Sequence, residues 1–437
     1  MSLHSRADAA ATPATGRSQP VQTVRDLAMV PLLGFAMLVQ LDAVGNQLSR
    51  GLPVSLTEML IGGILVTTAL VLLSPVDGPS RAVGTTGARL IAALFLWAVF
   101  CWTLSAHREA GLTYLIKLAT AIAPALCVLV ILDRVGRLQA VLWAVVGAGL
   151  VSAAIVLVEE RTHTRIVSTS IAATTAGFEG VARSAGGSDE NPTTAAQMLL
   201  VSMTLALGLL FAGARRWRAL LVATVAIGGV ALVLMSARSA LIGLAAAVAL
   251  IVLSFRRRRF FPLLVIGGVA ALIAAVPFLP PTLVDRFTAI GNFAQDPTLF
   301  RRITYLRIGA DLIGQSPLWG VGPGNFPLYY VTDAYRYMPG REPFPRELHN
   351  TYLDTATEYG LIGFALFAAL LAHALVAARR AAQAADATLA RCGFAVGTAL
   401  AALLVACFFM PHKDLRYLWL LLALAIQCGR LARKEPA

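Results

Sequence analysis

Hydrophobic and polar positions segregate along this chain in whole segments rather than residue by residue. Apolar stretches recur at 27–46, 54–75, 87–106, 112–132, 137–158, 193–213, 217–236, 238–255, 260–280, 351–378, 390–410 and 415–430. An α-helix crosses the hydrocarbon core of a bilayer in about 20 apolar residues, so each stretch predicts a transmembrane helix. The count is twelve, with eleven or thirteen also open because the junction at 236–238 is nearly continuous. The first 26 residues are polar, rich in Ala, Ser, Thr and Pro, and hold no apolar h-region. They read as a disordered tail and not as a cleaved signal. Two polar segments are longer than the rest, 159–192 and 281–350. In the second, Asp296-Pro297 reads as an N-cap followed by Pro at the first helical position. Leu299, Ile303, Leu306, Ala310 and Ile313 then form an apolar stripe at helical spacing, with Arg301, Arg302 and Arg307 off it. An amphipathic helix resting on a membrane face has this pattern.

Composition agrees with the segment pattern. Of 437 residues, 58% are hydrophobic and 14% charged, against roughly 45–50% and about 25% in soluble chains. Disorder, coiled coil and an ordinary soluble enzyme core are excluded for the bulk of the chain. The fold expected is an all-α polytopic membrane protein of about 12 transmembrane helices, with one long periplasmic loop containing the amphipathic helix.

Net charge alters the picture only once it is located. Lys+Arg 36 against Asp+Glu 23 gives +13, which in a soluble protein would suggest nucleic acid. Threaded through twelve spans, however, 20 of the basic residues fall in the segments on the N-terminal side, Arg215, Arg218 and Arg256 to Arg259 among them. Only Arg50, Arg108, Arg238, Lys413 and Arg416 fall in the short loops opposite. That asymmetry predicts cytoplasmic termini and a protein contacting membrane lipids rather than nucleic acid. The expected organisation is a tail (1–26), helices one to nine (27–280), a periplasmic loop (281–350), helices ten to twelve (351–430) and a second tail (431–437). Cys101, Cys127, Cys392, Cys407 and Cys428 all lie in apolar segments and are expected as small buried hydrophobes, neither disulfide framework nor zinc site.

Candidate chemistry concentrates on the outward side, because ionisable residues at membrane depth are costly and usually functional. The densest segment runs from Leu348-His349-Asn350-Thr351 to Gly360-Leu361-Ile362-Gly363. Nine residues separate the His-Asn pair from Gly-x-x-Gly, and a continuous helix would bury the glycines about three turns deeper, where they permit close helix contact. This spacing resembles the His-Asn-x9-Gly-x-x-Gly signature of the bacterial O-antigen ligase / O-antigen polymerase superfamily of membrane glycosyltransferases. Pro317-Leu318-Trp319-Gly320-Val321-Gly322-Pro323-Gly324-Asn325-Phe326 is similar to that family's Pro-x-x-Gly-x-Gly-x-Gly-Asn-Phe stretch. Arg183-Ser184-Ala185-Gly186 with Asn191-Pro192 resembles its Arg-x-x-Gly…Pro-Asn motif with the last pair inverted, and Ser236-Ala237-Arg238-Ser239 its Ser-Arg-small motif.

The resemblance implies transfer of a glycan from undecaprenyl pyrophosphate, with inversion and without metal or cofactor, to a lipid A–core acceptor. Pyrophosphate is already a stabilised leaving group, so the chemistry asks for a base on the acceptor hydroxyl and positive charge on the diphosphate. His349 is the expected base. Arg183, Arg238 and Arg302 are expected on the diphosphate as bidentate donors, with Asn350 beside the base and the backbone N–H groups of Gly322 and Gly324 as a phosphate cradle. A structural turn is an equal reading of the glycines. Asp354 and Glu358 below His349 are possible orienting groups, and Arg301 and Arg307 headgroup contacts. His412-Lys413-Asp414 reads as interface, as do Trp217 and Trp419 near span ends. Asp133-Arg134-Val135-Gly136-Arg137 echoes a major-facilitator transporter loop but follows the fourth span, and reads as a basic turn. The rival readings are an O-antigen polymerase, a protein O-oligosaccharyltransferase, and a lipid-linked oligosaccharide transporter, which should carry paired charges near mid-membrane.

Overall fold

The computed structural model describes residues 19–73, 84–166, 183–188, 191–215, 217–259 and 297–433, with isolated positions between 261 and 284. All regular structure among them is helical: α1 (Gln19–Leu38), α2 (Asp42–Leu48), α3 (Leu56–Leu73), α4 (Thr86–Leu104), α5 (Arg108–Ile131), α6 (Val135–Thr162) and α7 (Pro192–Phe211). There follow α8 (Arg218–Leu234), α9 (Arg238–Ser254), α10 (Pro297–Gln315), α11 (Phe326–Tyr330), α12 (Thr351–Ala381), α13 (Ala387–Ala406) and α14 (Arg416–Ala432). Among the described residues seven helices are long and apolar enough to cross a bilayer, and α8 and α9 are shorter apolar helices. The protein is a polytopic helical membrane protein. The first apolar stretch is not one straight span: the chain bends by 112° between α1 and α2. Residues 19–26, expected in the polar tail, form the opening turns of α1. The stretch at 260–280 lies mostly outside the described residues, as does Asp296.

Helix association in lipid has no bulk hydrophobic drive and relies on close packing and polar links. α7 is the central post, its candidate span 83% buried, with α6, α8, α9 and α13 packed round it. A Cβ on its Gly208 would come within 2.7 Å of Ala395 Cα in α13, so glycine is what lets those two backbones approach. The Asp133–Arg137 turn is more than a basic turn. Arg25 and Arg137 are buried, and Asp133 binds Arg25 at 3.0 Å and Arg137 at 2.5 Å, while Asp26 binds Arg137 at 2.7 Å. These pairs lock α1 to the α5–α6 turn at the end of the bundle remote from His349. The five cysteines are free and buried.

The long second loop folds back as a cap with its own core. Tyr305, Ile308 and Leu312 of α10 meet Val321, Phe326, Tyr330, Tyr335 and Leu348. The buried face of α10 is thus the 304/305/308/312 face, and Leu306 of the expected apolar stripe points outward, exposed. That arrangement leaves an apolar stripe free on a helix whose other face is already packed.

α12 is broken at Gly360, whose φ of 68° and ψ of −177° are outside helical space. The break frees backbone groups that lipid could not satisfy, and four of them find partners outside the helix. Val321 N–H donates to Thr357 O at 2.9 Å, Gly322 N–H to Glu358 O at 3.0 Å, and Leu361 N–H to Pro317 O at 2.8 Å. The Trp97 indole of α4 donates to Tyr359 O at 2.8 Å. A Cβ at position 360 would lie 2.2 Å from Leu318 O. Gly360 is therefore a break clasped by a loop, not the helix-packing glycine its spacing predicts. Gly363 does make a helix contact, against Trp97.

Candidate functional site

His349 sits immediately before α12, and the local sequence explains its pose. Asn350 is the N-cap: its side-chain oxygen accepts from Tyr352 N and Leu353 N, both at 3.0 Å. A cap needs extended backbone, so the turn into the helix falls on His349, held at φ 57°, a region that non-glycine residues seldom occupy. The half-buried imidazole stands edge-on to Tyr305, ring centres 5.4 Å apart, and its Nδ1 has no hydrogen-bond partner. Burial, then the charges of Arg302, Arg346 and Arg301, pull its pKa down to about 3. It is therefore neutral across the physiological range.

The three arginines of α10 differ. Arg301 binds Glu342 at 2.7 Å, and Glu342 also holds Arg346 at 2.6 Å, so Arg301 is an internal pair rather than a headgroup contact. Arg302 stacks over the Phe409 ring, 5.7 Å from its centre, with its charge directed to His349. Arg307 is exposed.

The earlier motifs reach the same end of the bundle through polar links. Asn191 caps α7, accepting from Thr193 N at 2.8 Å, with Pro192 at the first helical position. Arg183 is buried and donates to Thr193 Oγ1 at 3.3 Å and to Met235 O at 3.4 Å. Two residues after Ser236, itself at φ 49°, Arg238 opens α9 half-buried. Gln197 of α7 donates to Ser239 Oγ at 2.7 Å and bonds His412. His412 N donates to Thr351 Oγ1 at 2.9 Å, in the first turn below His349. Arg183 and Arg238 are thereby anchored on the neighbouring helices, whereas Arg302 alone of the expected diphosphate group bears directly on the imidazole.

The glycine loop does something other than cradle phosphate. Gly324 N–H donates to Glu358 Oε2 at 2.7 Å and Phe326 N–H to Glu358 Oε1 at 3.2 Å, while Gly322 N–H is taken by Glu358 O. The nest is filled by an internal carboxylate, so Gly322 and Gly324 are structural turn residues with φ of 99° and 68°.

Lys413, read from the sequence as interface, is an internal residue instead. It is buried and binds Asp354 and Glu358, each at 2.5 Å, over the rings of Tyr114 and Tyr359 at 5.3 Å. Asp354 and Glu358 hold this ammonium and do not orient His349. The available signal was two carboxylates four residues apart on one helix face, which in a membrane span demand a cation. Trp419 likewise departs from the interfacial reading: it is 1% exposed and donates to Lys413 O at 2.8 Å. Trp217, 58% exposed, remains at the surface. Beside this cluster a cavity of about 110 Å³ opens between Lys117, Asp414, Arg416 and Asp42, with Lys117 bound to Asp414 at 2.6 Å. Among the described residues no three His, Cys, Asp or Glu side chains gather where they could hold a metal ion.

Residues 223–368 match the family model described as O-antigen ligase. That match, over about a third of the chain, supports a place in the O-antigen ligase/polymerase superfamily. Among curated proteins none matches the chain. The ligase-family match takes in Arg238, Arg302, the clasping loop, His349 and the break at Gly360, and leaves Arg183 outside. The superfamily's role in handling lipid-linked glycans at a membrane thus attaches to the part of the chain that carries the cap and the imidazole.

Proposed function

We propose that the protein is an O-antigen ligase of the bacterial inner membrane. It moves O-antigen polysaccharide from undecaprenyl pyrophosphate onto a sugar of lipid A–core, with the His349 end in the periplasm and residues 1–26 and 431–437 in the cytoplasm. The supporting observation is the His349 imidazole, unpartnered at Nδ1, held neutral by burial and three neighbouring arginines, inside the ligase-family segment. His349 takes the proton of the acceptor hydroxyl as that oxygen attacks the anomeric carbon from the face opposite the diphosphate. The bond to the diphosphate breaks, and its electron pair leaves with the undecaprenyl pyrophosphate. Arg302 stabilises the charge developing there, where preorganised donors act most strongly, and Arg183 and Arg238 extend the positive surface toward the rest of the donor. Fixed guanidinium charge does the work that a metal does in other glycosyl transfers. Asn350 acts on His349 by holding the turn that aims it.

The test is transfer by purified protein with undecaprenyl-pyrophosphate-linked glycan and lipid A–core. Wild type gives glycosylated lipid A–core, and His349→Ala lowers the rate by about 10²–10⁴ while still inserting and folding. Undiminished transfer by His349→Ala overturns the mechanism. A lengthened lipid-linked glycan in place of glycosylated lipid A–core identifies a polymerase.

A further inference from the structure

At the end of the bundle opposite His349, α4, α12 and α14 leave a cavity of about 160 Å³. Arg89, Arg380, Arg430 and Arg433 line it with His373, and among the described residues no carboxylate lines it. Arg89, Arg380 and Arg433 form no ion pair among the described residues, while Arg430 is partly occupied by Leu129 O and Gln427. Gly84, Thr85 and Thr86 add the N-terminal turn of α4, where helix N–H groups carry the positive end of the dipole.

Charge placed on one side of a membrane protein to set topology has no need to converge. Here four arginines from three helices meet a helix N-terminus around one concavity, which is the arrangement that recognises a phosphate group. Apolar tracks lie exposed along the same helices: Leu96 and Phe100 follow Arg89 on α4, and Val376 stands one turn before Arg380 on α12. A free phosphate would use only the basic end. A phospholipid uses both, with its headgroup among the arginines and its acyl chains along the tracks. We propose that this cavity is a binding site for an anionic phospholipid, separate from the glycan-transfer site and at the opposite end of α12 from it.

The test is native mass spectrometry of the full-length protein titrated in detergent with phosphatidylglycerol, with phosphatidylethanolamine, and with inorganic phosphate as competitor. Wild type should hold phosphatidylglycerol at least tenfold more tightly than phosphatidylethanolamine. Arg380→Ala/Arg433→Ala, both on exposed side chains, should lose that preference, and Arg433→Glu should lose it further. Arg215→Ala/Arg218→Ala removes two exposed arginines from another loop and should keep the preference. Equal affinity for the two lipids, an unchanged preference in the Arg380/Arg433 variants, or the same loss in Arg215→Ala/Arg218→Ala overturns the proposal. Displacement of the lipid by millimolar inorganic phosphate reassigns the cavity to a free anion and overturns it as well.

Discussion

At the scale of the residue, His349 is defined by three local facts: a cap beside it, a left-handed backbone, and cations in front of it. Because Arg302 is the largest charge depressing its pKa, replacing it with a neutral side chain moves that pKa upward, toward the ordinary 6.5. Arg302→Gln should therefore shift the acidic limb of the kcat/KM profile to higher pH while lowering kcat/KM, and pH profiles of the two proteins check this. The left-handed conformation stores strain of about 1–3 kcal/mol for a non-glycine residue. His349→Gly should then melt at or above the wild-type temperature while losing transfer, so stability and activity separate at one position. His349 and Asn350 were legible in the sequence as a pair. Their division of labour, one aimed and one aiming, was not, because it depends on which residue takes the turn. Folded His349 and His412 both resist protonation, with pKa values near 3 and 4, whereas the unfolded chain binds protons from about pH 6.5 downward. Thermal stability should accordingly fall between pH 6.5 and 4 as the unfolded state gains protons, which calorimetry across that range would register.

At the scale of the element, the spacing of polar residues along α12 was visible while their partners were not. Asp354 and Glu358 face a lysine that lies 55 residues from Glu358 in sequence, beyond the reach of any local pattern. Removing that lysine leaves two buried carboxylates uncompensated, a loss of about 3–5 kcal/mol. Lys413→Met should therefore lower the melting temperature sharply, and adding Asp354→Asn and Glu358→Gln should restore much of it. Failure of the triple variant to recover would mean the cluster does more than satisfy itself. The Gly-x-x-Gly spacing was legible for the same reason it misled: it assumes an unbroken helix, and only the tertiary contact of residues 317–322 reveals a break at Gly360.

At the scale of the whole molecule, hydrophobic segmentation carried the fold class, since a span announces itself by length and composition alone. It could not carry the bend after α1 or the cap, which depend on packing between distant segments. Basic-residue asymmetry remains the ground for orientation, and it is directly testable because every native cysteine is buried. A cysteine at Tyr337, 89% exposed on the cap, should react with a membrane-impermeant maleimide added to spheroplasts. One at exposed Arg257 should react only after lysis. The reverse pattern would invert the topology and put the imidazole in the cytoplasm.

The clasp at Gly360 limits how this protein can move. The cap's loop between α10 and α11 grips the helix on both sides of its break, through Pro317, Val321 and Gly322, and its glycine nest is pinned by Glu358. Lifting the cap would strip hydrogen bonds from backbone that lipid cannot rehydrate, so the cap is a fixed roof rather than a lid. Under the proposed transfer, the bulky two-part substrate must then approach sideways, from the flank built by α7 and α9, where Arg183 and Arg238 stand. Traffic past a rigid housing, instead of opening and closing, is the working cycle this architecture permits.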